Sequence, residues 1–296
     1  MRGRSEGGGV RGPTSGAERG RLWVVATPIG NLGDFSPRAR EVLGAVTLVL
    51  AEDTRQVRKL LEHAAISARV RALHEHNEAQ EVPRLIAELS AGRSLALVSD
   101  AGTPLVSDPG YRLVRACRER GVEVLAVPGP SAVAAAIAVA GLPPVPFTFA
   151  GFLPARAGAR TAALSRLAPL PHTLVLFLSP HRLAIELAAC ARHLGGEREA
   201  ALLAELTKVH ERCERGALAD LAARMASARP RGEYTLVVGP PPELSAPPVT
   251  AAALRAAFDD ALASGLSLPE ARRSVAEQFG ISRKEAYRLL MPPAPR

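Results

Sequence analysis

Residues 99–110 have the sequence Ser-Asp-Ala-Gly-Thr-Pro-Leu-Val-Ser-Asp-Pro-Gly. They follow the apolar run Leu95-Ala96-Leu97-Val98, which predicts a buried strand, and they precede a helical pattern over residues 111–120. A segment with two Asp, two Gly and two Pro is costly to order at the end of a strand unless something binds there. Ligands of open α/β sheets bind outside the carboxyl ends of the strands. Residues 99–110 therefore predict a binding loop.

Apolar runs and helical patterns alternate over most of the chain. Strands are predicted at residues 22–27, 47–51, 69–73, 95–99, 123–127, 174–178, 200–206 and 234–238. Ser36 and Asp53 have the side chains and positions of helix N-caps after the first two strands. This alternation predicts parallel α/β sheets. The Pro, Gly and Arg content of residues 152–171 indicates a link between two such units.

We expect four segments along the chain. Residues 1–21 form a disordered basic tail, residues 22–150 an N-terminal α/β domain with the cofactor loops, residues 151–240 a second α/β domain, and residues 241–296 a Pro-rich linker with a helical C-terminal segment. In the last segment, two capping boxes predict two short helices. The pair resembles a helix-turn-helix, for which contact with nucleic acid and packing against protein are both open.

The composition is typical of a soluble protein. The chain of 296 residues is 47% hydrophobic, which is enough for a sizeable core. Its three cysteines lack metal-site spacing, so we expect reduced thiols and a cytoplasmic location. We see no secretory signal, and no uninterrupted apolar stretch reaches the roughly 20 residues of a membrane span. We therefore expect no membrane contact.

The positive charge lies at the two ends of the chain. The net charge is +8, and residues 1–21 contribute five Arg against two Glu, whereas residues 268–296 contribute six Lys or Arg against three Glu. The sequence between them carries little net charge. Contact with an anionic partner such as RNA and a mere gain in solubility are equally compatible with this distribution.

Two further loops follow predicted strands. Residues 28–33, Pro-Ile-Gly-Asn-Leu-Gly, match neither a dinucleotide fingerprint nor a P-loop. Residues 128–132, Pro-Gly-Pro-Ser-Ala, lead into an Ala-rich helix with Ser131 as the expected N-cap, and small residues let a ligand approach the N–H groups there. Each loop alone has an ordinary explanation as a turn with a cap. Together with residues 99–110 they predict a ligand cleft.

Several motifs occur in the order found in a known family. They are Ala-Thr-Pro-Ile-Gly-Asn-Leu at 26–32, Ala-Glu-Asp-Thr-Arg at 51–55, the segment 99–110, Pro-Gly-Pro-Ser at 128–131 and Glu-Leu-Thr-Lys at 205–208. With them, residues 22–240 resemble the bacterial 16S ribosomal RNA (cytidine 2′-O)-methyltransferases of the tetrapyrrole-methylase superfamily. The helical tail around residues 280–285 is also similar to one appended in this family.

The resemblance implies two α/β domains with a cofactor cleft between them, S-adenosyl-L-methionine as the cofactor, and a homodimer. It implies an enzyme that methylates the ribose of a cytidine in 16S rRNA, free or in the small ribosomal subunit. In-line methyl transfer requires aligned reactants, exclusion of water and an acceptor for the hydroxyl proton, but no metal. The residues expected to bind the cofactor are Pro28, Gly30, Asp100, Ala101, Gly102, Leu105, Pro130, Ser131 and Ala132.

Glu52, Asp100 and Lys208 are the candidates for catalysis. Asp100 and Glu52 follow strands, and Lys208 is expected to contact phosphate or to lower the pKa of the hydroxyl. Asp108 precedes Pro109 and is better explained as a helix N-cap. The residues expected to contact RNA are His74, Asn77, Arg182, Lys208, Arg283 and Lys284. No metal site is predicted, since His74 and His76 lack further clustered ligands.

Two positions depart from the family pattern. Leu178 stands where the pattern has an acidic residue, and Ala204 stands where it has an arginine. An acid and an arginine often pair, so their joint loss is explained as compensatory. Two alternative functions remain open. The first is a methylase of a tetrapyrrole or another small acceptor, and the second is a ribosome-binding factor without catalysis.

Overall fold

The computed structural model describes residues 20–227, 230–242, 251–279 and 281–290. The chain divides into two compact units, one that ends at Gly239 and one that begins at Pro240. Nearly all of the tail expected at residues 1–21, most of the Pro-rich linker and Gly280 lie outside the described residues. None of the described helices combines the length and the apolar character needed to cross a membrane.

The first sheet of the larger unit is parallel throughout. Its strands run β3-β2-β4-β1-β5 across the sheet. The strands are β1 (Leu22–Val25), β2 (Leu48–Ala51), β3 (Val70–Ala72), β4 (Leu95–Val98) and β5 (Val124–Val127). The helices that follow them are α1 (Pro37–Ala45), α2 (Thr54–His63), α3 (Glu75–Ser90), α4 (Tyr111–Glu119) and α5 (Ala132–Ala140). All five strands were predicted from the sequence.

The connections of this sheet change direction between β2 and β4. β2 leads through α2 outward to β3, whereas β4 leads through α4 past β1 to β5. Accordingly, α1 and α2 pack on one face of the sheet, and α3 and α4 pack on the other. A change of direction opens a crevice at the carboxyl ends of the two strands, where ligands of such folds bind. Glu52 after β2 and residues 99–110 after β4 border this crevice.

Two predicted N-caps are confirmed at the start of the first two helices. The Ser36 hydroxyl accepts a hydrogen bond from the Ala39 N–H at 3.1 Å, and the Asp53 carboxylate accepts one from the Arg55 N–H at 2.8 Å. Each bond satisfies a donor that the first helical turn leaves without an intrahelical acceptor. Ser131 is the N-cap residue of α5, but its hydroxyl makes no capping bond.

The second sheet is mixed, which corrects the expectation of parallel sheets throughout. Its order is β6-β7-β10-β8-β9, and only β6 and β7 pair in parallel. Its strands are β6 (Phe147–Phe152), β7 (Thr173–Leu178), β8 (Glu199–Ala204), β9 (Arg212–Ala217) and β10 (Tyr234–Val238). The helices are α6 (Ala157–Leu167), α7 (Leu183–Leu194) and α8 (Leu218–Met225). The short loop between β8 and β9 holds no crossover helix, so it makes an antiparallel pair.

The two sheets share an apolar layer. The helices α6, α7 and α8 pack on one face of the second sheet. Its opposite face carries Val175, Leu203 and Val237, which pack with Ile29 and with Ala136 of α5. Helix α5 thus belongs in sequence to the first sheet and lies against the second. This layer holds the carboxyl-end loops of the first sheet against the second sheet.

The smaller unit is a three-helix group in its described part. The helices are α9 (Ala251–Ala263), α10 (Leu268–Gln278) and α11 (Arg283–Leu290). Leu254 and Val275 are buried between them. The Glu270 carboxylate accepts from the Ser267 N–H at 3.0 Å, and the Glu285 N–H donates to the Ser282 hydroxyl at 3.2 Å, so both predicted boxes begin helices. The Arg272 guanidinium lies 5.1 Å from the Tyr287 ring centre.

Candidate active site

A cavity of about 320 Å³ lies between the loops of the first sheet and the second sheet. We call it the cleft. Its volume is at the lower end of the range for small-molecule sites. From the first sheet it is lined by Ile29, Asp100, Ala101, Gly102, Thr103, Val106, Ser107, Asp108, Ser131 and Ala132. From the second sheet it is lined by residues that include Phe152, Phe177, Leu206, Glu233 and Thr235.

Backbone and side-chain hydrogen bonds tie the three loops of the first sheet together. The Thr27 N–H donates to the Gly102 carbonyl at 2.9 Å, and the Gly102 N–H donates to the Thr27 carbonyl at 3.1 Å. The buried Thr27 hydroxyl donates to the Ser99 carbonyl at 3.1 Å. The Thr103 hydroxyl donates to the Pro130 carbonyl at 3.1 Å. These bonds fix the position of residues 99–103 at the cleft.

The second part of the binding loop has an unusual backbone. Leu105 and Ser107 have φ values of 71° and 70°, in the left-handed region that side chains with a Cβ rarely adopt. Gly110, with φ of 123°, is the residue that precedes α4 and is its N-cap. The expectation that Asp108 caps this helix is therefore wrong. The turns at Leu105 and Ser107 carry the chain along the cleft, so that Asp108 lines the cleft two residues before the cap.

Three carboxyl groups lie at the crevice between β2 and β4. Burial, followed by the charges of Glu52 and Asp100, raises the pKa of Asp108 to about 7, and a hydrogen bond with Ser99 partly opposes this rise. Burial and the Asp100 charge also raise the pKa of Glu52. The Asp100 carboxylate accepts a hydrogen bond from the Asp53 N–H at 2.9 Å. Glu52 itself is exposed and does not line the cleft.

No set of three or more His, Cys, Asp or Glu side chains within the described ranges is arranged to hold a metal ion. The carboxyl groups of Glu52, Asp100 and Asp108 interact with one another instead, and the negative charge of one disfavours ionisation of the next.

The wall formed by the second sheet is mostly apolar. Phe177 packs against Phe149 at 4.9 Å and against Phe152 at 5.3 Å between ring centres. Phe152 is 56% exposed although its ring is large and apolar. Thr235 is 5% exposed and lies in register between Phe177 and Leu203, on the cleft side of the sheet. This wall offers flat apolar surface, the Thr235 hydroxyl and the Glu233 carboxylate.

Lys208 lies at the edge of the cleft and does not line it. Its ammonium donates to Glu205 at 2.8 Å and to Glu233 at 2.9 Å. Burial lowers the pKa of Lys208, but the two carboxylates outweigh this effect and raise it. Its aliphatic chain contacts Gly30, where any Cβ would overlap it. Lys208 is therefore a paired cation that joins the first loop to the second sheet.

The residues expected to contact RNA fall in four places, one of which is Lys208 at the edge of the cleft. Asn77 holds the turn before α3, since its side-chain oxygen accepts from the His74 N–H at 2.8 Å and its amide donates to the Ala72 carbonyl at 3.1 Å. Arg182 pairs with the buried Glu186 at 2.8 Å. In the smaller unit, α11 begins at Arg283, and Lys284 is exposed. Within the larger unit, Asn77 and Arg182 are thus both engaged in contacts with neighbouring groups of the protein.

Comparison with known proteins identifies the family. Residues 21–222 match the tetrapyrrole (corrin/porphyrin) methylases. The chain belongs to the tetrapyrrole methylase family. It is 51% identical over 220 residues to a protein of Mesorhizobium japonicum, and this match covers 74% of this chain and 75% of that one. It is 42% identical over 271 residues to a protein of Synechocystis, covering 91% and 97% of the two chains. Both relatives are named ribosomal RNA small subunit methyltransferase I.

Solved structures of tetrapyrrole methylases share the fold. A uroporphyrin-III-C-methyltransferase from Thermus thermophilus is 28% identical with a TM-score of 0.52, and the match covers 75% of this chain and 94% of that one. A further structure of such an enzyme from the same organism, 21% identical with a TM-score of 0.52 and with 74% and 97% covered, holds S-adenyl homocysteine. The predicted fold class is confirmed by this agreement.

The cleft of this methylase has two local features that suit a small ligand with a carboxylate. The N-terminal end of α5, at Ser131 and Ala132, presents N–H groups that suit a carboxylate. Gly102 has φ of 84°, a conformation that favours glycine, and a Cβ there would lie 3.1 Å from the Ile29 side chain, so the space at this point is tight.

The predicted cofactor residues occupy two positions relative to the cleft. Asp100, Ala101, Gly102, Ser131 and Ala132 line it, whereas Pro28, Gly30, Leu105 and Pro130 belong to the same loops without lining it. Of the lining residues of the second sheet, sequence reasoning named Leu178 as a departure from the family pattern and Leu206 within the motif at 205–208, and it assigned neither of them to the cofactor. Gly232 and Glu233, directly before β10, also line the cleft, and sequence reasoning assigned them no role.

Leu178, Tyr234 and Ala204 form one row across the second sheet. Tyr234 pairs with Leu178 of β7 on one side and with Ala204 of β8 on the other. All three side chains belong to the core covered by α6, α7 and α8. The two positions at which this methylase departs from the family pattern are thus neighbours of the same tyrosine.

Proposed function

We propose that the protein is an S-adenosylmethionine-dependent methyltransferase that methylates the ribose 2′-hydroxyl of a cytidine in 16S ribosomal RNA. The observation that carries the RNA substrate is the match to the Synechocystis relative, a ribosomal RNA methyltransferase by name, over almost the whole of both chains. The family match and the cleft support the methyl donor.

The residues that hold the donor in this proposal are those of the cleft. Asp100 to Thr103 supply backbone groups and a carboxylate, and the start of α5 supplies N–H groups for the carboxylate of the amino acid. The apolar wall at Phe177 excludes water, which favours transfer over hydrolysis. When bound, the donor supplies a methyl group on a sulfonium, so that no metal is needed for activation.

The net charge of the chain supports an RNA substrate. The chain carries a net charge of +8, concentrated at its two ends, and positive charge attracts phosphates from a distance. We place the protein in the cytoplasm, where ribosomal subunits are found, and as a homodimer. Sedimentation of the purified protein measures the dimer separately from its activity.

The test uses purified protein, labelled S-adenosylmethionine, and small ribosomal subunits from a strain that lacks the enzyme. We expect label in one 2′-O-methylated cytidine after nuclease digestion and mass spectrometry of the nucleosides. Label in a base instead of a ribose contradicts the 2′-hydroxyl assignment.

Two outcomes favour the alternatives. Donor binding without transfer to RNA indicates a small acceptor, for which the 28% identity to a uroporphyrin-III-C-methyltransferase is the supporting observation. Failure to bind the donor indicates a ribosome-binding factor without catalysis.

A further inference from the structure

Asp108 is a half-buried carboxyl group on the wall of the cleft that interacts with the Ser99 side chain of its own loop. It does not cap α4, because Gly110 occupies the cap position. Leu105 and Ser107, both left-handed, shape the chain on the way to it, and such backbone strain concentrates at functional sites. The loop therefore exposes a carboxyl group to the cleft at a cost in backbone energy.

We propose that Asp108 accepts the proton of the acceptor hydroxyl during methyl transfer. This inference rests on the proposed function, because it assumes an acceptor with a hydroxyl group in the cleft. It extends that function by naming the group that removes the proton, which neither the family match nor the names of the relatives assign.

The chemistry requires such a group. The hydroxyl oxygen forms a bond to the methyl carbon as the carbon–sulfur bond breaks, the sulfur keeps the electron pair as a thioether, and the hydroxyl proton passes to the Asp108 carboxylate. A base works best when its pKa lies near the working pH, because it is then deprotonated and still basic. Asp108 fits this condition, since its pKa is raised to about 7. The proton leaves to water after the product departs.

The charged groups around Asp108 come from several elements. Glu52 follows β2, and Asp100 belongs to the same loop as Asp108. His74 and Glu75, at the start of α3, act on Glu52 with opposite signs. Two more negative charges beside Asp108 favour its protonated form, so the cluster makes the carboxylate a stronger base than an isolated aspartate.

The other candidates for this role are less suitable. Asp100 uses its carboxylate to hold the Asp53 N–H at 2.9 Å. Glu52 does not line the cleft. Lys208 carries a proton already and is paired with Glu205 and Glu233 at 2.8 and 2.9 Å, so it cannot accept another. Glu233 lines the cleft from the opposite wall, but it is occupied by Lys208.

The first test compares Asp108→Asn with the wild type and with Asp220→Asn, which removes an exposed carboxylate of α8. We expect Asp108→Asn to lower the single-turnover methylation rate at least about 100-fold, the range for loss of a general base, and to change the donor dissociation constant by less than about threefold. The wild-type rate is expected to rise with pH and level off above about pH 7. Asp108→Asn loses that rise, and Asp220→Asn keeps it.

The second test needs no activity. In the donor-free protein, carboxyl carbon NMR is expected to show one titration near pH 7 that is missing in Asp108→Asn. Since the folded pKa lies above the usual aspartate value of 3.8, the folded chain holds a proton that the unfolded chain releases. Wild-type stability should therefore fall as pH rises from about 4 to about 7, and Asp108→Asn should be the more stable protein at about pH 8.

The results that contradict the proton transfer to Asp108 differ from the result that contradicts the proposed function. An Asp108→Asn protein with the wild-type rate, or one that has lost donor binding in proportion to its rate, overturns the proton transfer to Asp108. An Asp108 signal that titrates near its ordinary value overturns it as well. A wild-type protein that leaves ribosomal RNA unmethylated overturns the proposed function, and the proton transfer falls with it.

Discussion

At the scale of single residues, Leu178 and Ala204 show how two departures from a family pattern are coupled. They flank Tyr234 on adjacent strands, so their backbones are separated by two strand spacings, about 10 Å. An arginine and a glutamate in these positions can meet across the tyrosine. Leu178 is 1% exposed and Ala204 is 4% exposed, so a charge there is desolvated. Replacing a buried ion pair by apolar residues is often neutral or stabilising.

We predict that Leu178→Glu and Ala204→Arg are each strongly destabilising alone and less so together. An unpaired buried charge costs about 3 to 5 kcal/mol, and the pair should recover at least about 1 kcal/mol of coupling. Urea unfolding of the four proteins measures this cycle. Methylation rates should follow the same order, with the double variant above either single one. If the effects of the two single substitutions on stability and on rate simply add in the double variant, the two positions are not a compensatory pair.

Single residues also mark the limit of what this sequence predicts. Asp100 was assigned to the cleft from its place after a strand, and it lines the cleft. Asp108 was taken for a helix cap because Asp before Pro and Gly at a helix start is a common local pattern. The backbone turns at Leu105 and Ser107, which bring Asp108 to the cleft, depend on the packing of distant segments. Local patterns carry no information about such packing.

At the scale of elements, the sequence predicts strands best where both edges are paired. The apolar strands β1, β2, β4 and β10 were all predicted, whereas two edge strands, β6 and β9, were not. The strand β9 shows the reason. Its sequence, Arg-Cys-Glu-Arg-Gly-Ala, lacks an apolar pattern because this edge strand pairs only with β8 and is largely exposed. Missing β9 hid the antiparallel pair and led to the wrong expectation of parallel sheets. Helix α6 lies within the segment interpreted as a link.

The hydrogen bond between Thr27, just after the first strand, and Ser99, at the start of the binding loop, allows a test of how the cleft is held together. Thr27 is 1% exposed, and its hydroxyl donates to the Ser99 carbonyl at 3.1 Å. We predict that Thr27→Val, which keeps the shape and removes the hydroxyl, lowers the free energy of unfolding by about 1 to 2 kcal/mol and weakens donor binding severalfold. Calorimetry of donor binding and urea unfolding measure the two effects.

Thr27→Ser is the matched control for this change. It keeps the hydroxyl and removes one methyl group, so it should retain donor affinity and lose about 0.8 kcal/mol of stability. If the valine variant binds the donor as tightly as the serine variant, the hydrogen bond does not position the loop for the donor.

At the scale of the whole molecule, the charge distribution separates two tasks. In the proposed function the donor lies in the cleft, whose nearby ionisable groups are mainly carboxyls, so the cleft itself provides no long-range attraction for phosphates. The positive charge is concentrated in residues 1–21 and 268–296, away in sequence from the loops that form the cleft. RNA affinity and donor affinity should therefore respond to different substitutions. The sequence shows this separation directly, because net charge needs no knowledge of the fold.

The separation leads to a prediction on salt dependence. Lys284 and Arg288 are exposed on α11. Each phosphate contact that is lost reduces the slope of log affinity against log salt by about 0.7 to 0.9. We predict that Lys284→Gln with Arg288→Gln lowers the slope for binding small ribosomal subunits by about 1.5 between about 50 and about 200 mM salt. Donor affinity should stay unchanged, which equilibrium dialysis with labelled donor measures.

The control removes the same charge elsewhere. Arg166 and Arg192 are exposed near the ends of α6 and α7, helices that cover the face of the second sheet opposite to the cleft. Arg166→Gln with Arg192→Gln should leave the salt slope as it is in the wild type. If both double variants lower the slope equally, RNA responds only to the net charge of the protein. If only the α11 variant lowers it, that helix contacts phosphates, and the C-terminal unit serves the RNA while the cleft serves the methyl donor.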